Sequence, residues 1–154
     1  MIRLAAYEPD IAQNLGSMIR LCACFKVPLE VIEPCGFPFS VKGLRRSAMD
    51  YQDIAEINRH DDWKAFHKSH GNGRIVLLTT KARQSLWNFN FESDDTLLVG
   101  RESAGVPKSV AEQSDEQIIL PMPGGGRSMN VALSAGIALS EALRQTGYWS
   151  DQSL

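Results

Sequence analysis

The sequence predicts an α/β fold: a mostly parallel sheet sandwiched by helices. Three observations carry that expectation. The runs IRLAAY, RIVLLTT, TLLVG and QIILP are continuously apolar rather than alternating, as strands covered on both faces are. Helical patterns fall between them, so strand and helix alternate along the chain. Two polar, glycine-bearing loops run directly off strand-like segments, and that is where α/β proteins bind nucleotides and do chemistry.

Strands are expected at Ile2–Tyr7, Leu29–Glu33, Gln52–Ile57, Arg74–Thr80, Thr96–Gly100 and Gln117–Leu120. Helices are expected at Asn14–Phe25, Val41–Ala48, Asp61–Ser69, Lys108–Gln113 and Met129–Thr146. Asp61 or Asp62 suits the N-cap of the third helix, with Gly71 as its stop, and Gly147 suits the C-cap of the last. The segment Gln84–Asp95 has the composition of an aromatic loop, and the last six residues that of a frayed tail. The last helix is rich in small residues, among them Ala132, Ser134, Ala135, Gly136, Ala138, Ser140 and Ala142. A mid-helix Gly136 costs about 1 kcal/mol relative to alanine. Either the helix packs closely on another segment or subunit, or it is an alanine-rich core helix.

With 154 residues, 44% of them hydrophobic, the chain has material for one ordinary core, so a single domain over 1–154 is expected. Its 22% charged content argues against a disordered chain. A formal charge of −2 argues against a strongly basic nucleic-acid binder and leaves room for a local basic patch. No amino-terminal signal and no bilayer-length apolar run is apparent, which makes a cytoplasmic protein the default. The three cysteines form no disulfide framework. Cys22 and Cys24 lie about 200° apart around a helix, so they do not converge on a metal, and none is expected.

The loops also argue against several chemistries. Gly100 and Gly105 have the spacing of a phosphate loop, but Val-Pro follows where Lys-Ser/Thr is needed. The segment NLGSMIR (Asn14 to Arg20) lacks the dinucleotide fingerprint. Gly124–Gly126 before a helix favours an anion only weakly. There is no nucleophile elbow, and His60, His67 and His70 lie in a polar stretch suited to the surface. What remains is a neutral, flat ligand held by loop backbone, with polar groups converging from three segments. Arg20 closes the first helix, Glu102 sits in the second segment, and Ser128 and Asn130 open the last helix. Singly they read as a solvated face, a loop carboxylate and N-caps; the combination is what is informative.

That combination has a family resemblance. NLGSMIR, LLVGRESAGVP and ILPMPGGGRSMNVALSAGIALSEALRQ resemble the three motifs of the SpoU branch of the SPOUT methyltransferases, which methylate RNA ribose at the 2′-oxygen. YEPDIAQNLGSMIRLCA, IEPCGF, LRRSAMDY and LLTTK are similar to the minimal members acting on the anticodon wobble nucleotide of tRNA. The similarity runs from Ile2 to Tyr148, with no separate RNA-binding extension.

The resemblance implies a trefoil knot in the carboxyl-terminal part and a homodimer with active sites at the interface. It implies S-adenosyl-L-methionine as cofactor and the tRNA anticodon loop as partner. Carried over by position, the cofactor-binding residues are Leu78, Thr79, Gly100, Glu102, Leu120, Met122, Ser128 and Met129. The catalytic set is Arg20, Glu102, Ser128 and Asn130. RNA contacts fall to Asn14, Arg20, Lys42, Arg45 and Arg46, with Trp87, Phe89 and Phe91 as candidates for stacking an unpaired base. A guanidinium stays protonated in proteins, so Arg20 is assigned to holding a phosphate and stabilising developing alkoxide charge, with the RNA or Glu102 removing the proton. The chain departs from the pattern at Arg101, where proline is usual, and at Ser103-Ala104 in place of Thr-Arg; Gly124–Gly126 makes the third loop more flexible. The open alternatives are a 2′-O-methyltransferase for another tRNA or rRNA site and a non-catalytic knotted RNA-binding protein. Without the resemblance, a flavodoxin-like nucleotide module is the remaining reading.

Overall fold

The computed structural model describes residues 1–39 and 55–151. The expected helix Val41–Ala48 and the basic residues Lys42, Arg45 and Arg46 lie outside the described residues. Among the described residues, seven strands form one sheet: β1 (Arg3–Tyr7), β2 (Leu29–Ile32), β3 (Ile57–His60), β4 (Ile75–Leu78), β5 (Gln84–Ser85), β6 (Thr96–Val99) and β7 (Glu116–Ile119). Their order is β3-β2-β1-β6-β4-β7-β5, and every pairing is parallel. The helices are α1 (Ala12–Phe25), α2 (Trp63–Ser69), α3 (Lys108–Glu112) and α4 (Val131–Gln145).

Strand periodicity sorts the apolar residues into two cores. Leu4, Ala6, Val76, Leu97 and Val99 face α1 and α4. Ala5, Tyr7, Ile75, Leu77 and Leu98 face the opposite layer, where Phe66 of α2 and Val110 of α3 pack. Because both faces are buried, the central strands have no polar alternation to show. Helix ends follow local chemistry. Asp62 caps α2 by accepting from the Ala65 N–H at 2.7 Å, and Gly71 behind it adopts φ +89. Lys26 ends α1 in the left-handed region, and Gly147 at φ +74 follows α4.

Several expectations need correction. Of the expected strand Gln52–Ile57, residues 52–54 lie outside the described residues, and the described strand is Ile57–His60. It is an edge strand held partly by polar pairs, which gives it no apolar signature: Asn58 Nδ2 donates to Glu30 Oε1 at 3.2 Å and His60 Nε2 meets Glu30 Oε2 at 2.7 Å. His60 and His70 are therefore not plain surface residues, and the His70 Nδ1 atom is buried. The segment Gln84–Asp95 contains β5 and a 3₁₀ turn, Leu86–Asn88. Phe89 and Phe91 enter the core, stacked edge to face at 4.7 Å, so of the three aromatic candidates Trp87 alone is exposed. Of the expected frayed tail, residues 149–151 belong to a 3₁₀ turn, Tyr148–Asp151, and the rest lies outside the described residues; the Tyr148 hydroxyl donates to the Phe25 carbonyl at 2.6 Å.

One ion pair anchors the loop before β6. Arg74 donates from Nε and Nη2 to the two Asp95 oxygens at 2.9 and 2.8 Å, and Asp95 is 1% exposed. Arg74→Ala leaves that carboxylate buried with little compensation, so a stability loss of about 3 kcal/mol is expected, read as a fall in urea midpoint at constant m-value. A loss below about 1 kcal/mol would mean that water replaces the guanidinium.

Candidate active site

In a parallel sheet all strands end on one edge, and here β1, β4, β6 and β7 deliver four loops to it. The loops enclose a cavity of about 440 Å³. Every residue expected to bind the cofactor lines it: Leu78 and Thr79 after β4, Gly100 and Glu102 after β6, then Leu120, Met122, Ser128 and Met129 after β7. Asn14 and Asn130 line it too. The sequence reading missed Ile11, Leu77, Val106, Ile119, Val131 and Ser134. Several adjoin motif residues or fall one helical turn away, so neighbour spacing was the available signal.

The loop after β6 is a closed bend. Arg101 and Gly105 exchange backbone hydrogen bonds at 3.0 and 2.9 Å, with Gly105 at φ +66. A Cβ on Gly100 would lie 2.6 Å from the Gly105 carbonyl carbon, so only glycine fits. The departures from the family pattern have partners. Arg101 Nη2 pairs with Glu8 Oε2 at 2.9 Å, and the Ser103 hydroxyl donates to Asp10 Oδ2. Both tie the bend to the loop after β1.

A polar chain crosses the cavity wall. Asn130 Oδ1 accepts from the Ala132 and Leu133 N–H groups at 2.9 and 3.1 Å, capping α4. Its Nδ2 donates to Asn14 Oδ1 at 2.9 Å, and Asn14 Nδ2 donates to Glu102 Oε1 at 3.0 Å. Thus α1, α4 and the bend are held in one register. Burial, and next the neighbouring Asp10 carboxyl, push the Glu102 carboxyl above the usual glutamate range. Asp10 itself is held down to about 2, chiefly by Glu102.

Arg20 is not brought to this cavity. It lies on the exposed side of α1. It stands six positions after Asn14, about 120° away around α1, and is not among the residues that line the cavity. An open apolar groove adjoins the cavity through Asn130, its floor and walls made by Leu21, Trp87, Leu133, Gly136 and Ile137. Leu133 is 62% and Trp87 55% exposed there.

The one group of carboxylates close enough to share a cation, among the described residues, is Glu92, Asp94 and Asp95. Two of these already pair with Arg74. No helix of the described residues is long and apolar enough to cross a membrane. The cavity itself offers apolar walls, loop backbone and one perturbed carboxylate. It suits a flat, neutral group next to a reaction that moves a proton.

Residues 1–140 match the model of the SpoU rRNA Methylase family. The chain is 49% identical over 146 residues to a protein of Beijerinckia indica named tRNA (cytidine(34)-2'-O)-methyltransferase, covering 94% of this chain and 91% of that one. A structure solved for insight into the 2-OH methylation of C/U34 on tRNA superposes with a TM-score of 0.88 at 36% identity, over 94% of this chain and 95% of the other. An AdoMet-bound rRNA methyltransferase from Sinorhizobium meliloti gives a TM-score of 0.82 at 24% identity, over 93% of this chain and 56% of its own; at that identity it speaks for the fold alone.

Proposed function

The chain belongs to the SpoU methylase family, and from that premise we propose that it methylates the ribose 2′-oxygen of the wobble nucleotide, cytidine or uridine 34, in tRNA. It is an RNA 2′-O-methyltransferase whose relatives carry that activity in their names. The observation that carries the reading is the convergence of Asn14, Glu102, Ser128 and Asn130, from separate segments, on one apolar cavity.

SpoU methyltransferases use S-adenosylmethionine, and this cavity fits it. Its volume falls in the range of small-molecule sites. Gly100 lets the bend close on Gly105, where a Cβ would clash, and so shapes the cavity wall; Leu78, Leu120, Met122 and Met129 offer apolar walls to the adenine while Thr79 and Ser128 supply polar atoms. When bound, the cofactor supplies an electrophilic methyl group on a sulfonium.

The remaining chemistry belongs to the chain. As the ribose oxygen attacks, its O–H bond breaks and the proton passes to the Glu102 carboxylate, which burial makes a stronger acceptor. Arg20 grips a neighbouring phosphate with its planar fork and offsets the charge growing on oxygen. Asn14 and Asn130 keep the carboxylate and the third loop in register.

The enzyme acts in our reading as a homodimer. The groove on α1 and α4 exposes Leu133 and Ile137, and a Cβ on Gly136 would make only ordinary contact with Leu21 at 3.8 Å. Nothing among the described residues requires glycine there, whereas a second copy packed against α4 would. Such a copy, seated beside the cavity, can also bring an Arg20 to it. A knotted carboxyl-terminal part belongs to the same reading, supported by the loops after β6 and β7 sharing one cavity and by α4 returning onto α1. A tRNA substrate argues for a cytoplasmic enzyme.

Transfer of labelled methyl from S-adenosylmethionine to unmodified tRNA, followed by mapping, tests the reading. Label on the nucleotide 34 ribose is expected. Label elsewhere would redirect it to another RNA site, and cofactor binding without transfer to any RNA would sink it.

A further inference from the structure

The loop between β1 and α1 carries a residue to which neither the motifs nor the relatives' names give a role. The Asp10 N–H donates to Glu102 Oε2 at 3.0 Å, and Asp10 Oδ1 accepts from the Glu102 N–H at 3.1 Å. The other Asp10 oxygen accepts from the Ser103 hydroxyl. Gly36 backs this arrangement so closely that a Cβ on it would lie 2.8 Å from the Asp10 Cβ, and its N–H donates to the Pro9 carbonyl at 2.9 Å. With Asn14 on Oε1, each oxygen of Glu102 has one N–H donor, and the carboxylate is fixed on the cavity wall from two directions.

We propose that Asp10 is a positioning residue for methyl transfer: it clamps Glu102 in place and, as a second carboxylate beside it, makes Glu102 the better proton acceptor. This rests on the reading of Glu102 as the acceptor. Two carboxylates held side by side by these reciprocal backbone bonds favour keeping a proton on one of them. The pair divides unequally: Asp10 has the Ser103 hydroxyl and the Glu102 N–H to support its charge and stays ionised, whereas Glu102 lies deeper and takes the proton more readily. A base gains effectiveness as its pKa rises toward the working pH.

The other titratable groups near Glu102 do not substitute for this effect. Arg101, on the same bend, is engaged by Glu8 at 2.9 Å. The Cys35 thiol, on the loop after β2, is pushed up to about 11, mainly by burial, and stays neutral in the working range. Asn14 and Asn130 carry no charge.

The sign of the pH effect follows. Glu102 must be ionised to accept a proton, so activity falls as pH drops through its pKa. Removing the neighbouring charge lowers that pKa and moves the acid limb of the rate profile to lower pH.

The experiment is the pH–rate profile of methyl transfer to tRNA for Asp10→Asn, with Asp10→Ala and Glu102→Gln beside it. Asp10→Asn keeps an oxygen for the Glu102 N–H; its acid limb is expected to move down by about one pH unit, with a plateau several-fold lower. Asp10→Ala loses the side-chain ties as well and is expected also to raise KM for S-adenosylmethionine. An unmoved acid limb in Asp10→Asn, at any plateau rate, overturns the proposal, because a merely structural Asp10 would lower the rate without moving the limb. Full activity of Glu102→Gln would instead remove Glu102 as acceptor, overturning the underlying reading and the proposal with it.

Discussion

Gly100→Ala is expected to weaken S-adenosylmethionine binding by roughly 10- to 100-fold while the sheet stays folded, the equivalent of the 1–3 kcal/mol that an overpacked site typically costs. The added Cβ would lie 2.6 Å from the Gly105 carbonyl carbon and 2.7 Å from its Cα. Both are backbone atoms, so no rotamer change relieves the contact. The bend must open, and the reciprocal Arg101–Gly105 bonds with it. Opening moves Glu102, whose N–H and carboxylate are held by Asp10 and Asn14. One methyl group thereby disturbs the cavity wall and the proposed proton acceptor together. Gly124→Ala is the matched control, because a Cβ there meets nothing within 4 Å. Titration calorimetry with the cofactor, with circular dichroism to check the fold, reads both variants. Parent-like affinity in Gly100→Ala would show that the bend is not part of the cofactor site.

What the sequence revealed of this architecture follows from where each segment lies. β1, β4 and β6 were legible because both their faces are buried, leaving uninterrupted apolar runs. β3 was not: at the sheet edge its residues Asn58 and His60 meet Glu30, and polar partners leave no hydrophobic period to detect. β5 was too short, and Phe89 and Phe91, which suggested a stacking surface, turned inward beneath α4. The eight motif positions that line the cavity were legible through motif resemblance, since each lies in a short segment of fixed spacing. Asp10 left no such trace. Its partners Glu102 and Ser103 are more than ninety residues away, and a pairing created by tertiary packing has no local signal. The same limit applies to the connection of Asn14 with Asn130, which joins the two ends of the chain.

Arg20→Ala is expected to lower methyl transfer by roughly 100-fold or more, the scale of losing a charge-stabilising donor, with cofactor affinity little changed because Arg20 lies off the cavity. Helix geometry makes a sharper prediction. Asn14 faces its own chain's cavity, and Arg20, about 120° away around α1, lies on the exposed side of the helix and off the cavity lining. In the homodimer proposed above, the exposed groove beside the cavity takes the second copy, and a two-fold pair presents equivalent surfaces to each other. The Arg20 of one copy then serves the cavity of its partner. Mixing Arg20→Ala protein with Gly100→Ala protein under conditions that exchange subunits distinguishes the arrangements. In a shared site, a mixed dimer has one cavity intact on both counts, so random exchange is expected to restore about one-quarter of parent activity: half the dimers are mixed, each with one of two sites working. If each chain used its own Arg20, every site in the mixture would carry one lesion and activity would stay at the level of the separate variants. Recovery therefore requires that α1 of one subunit complete the cavity of the other. It would also give Gly136 its reason, as the floor of the groove against which that second copy packs.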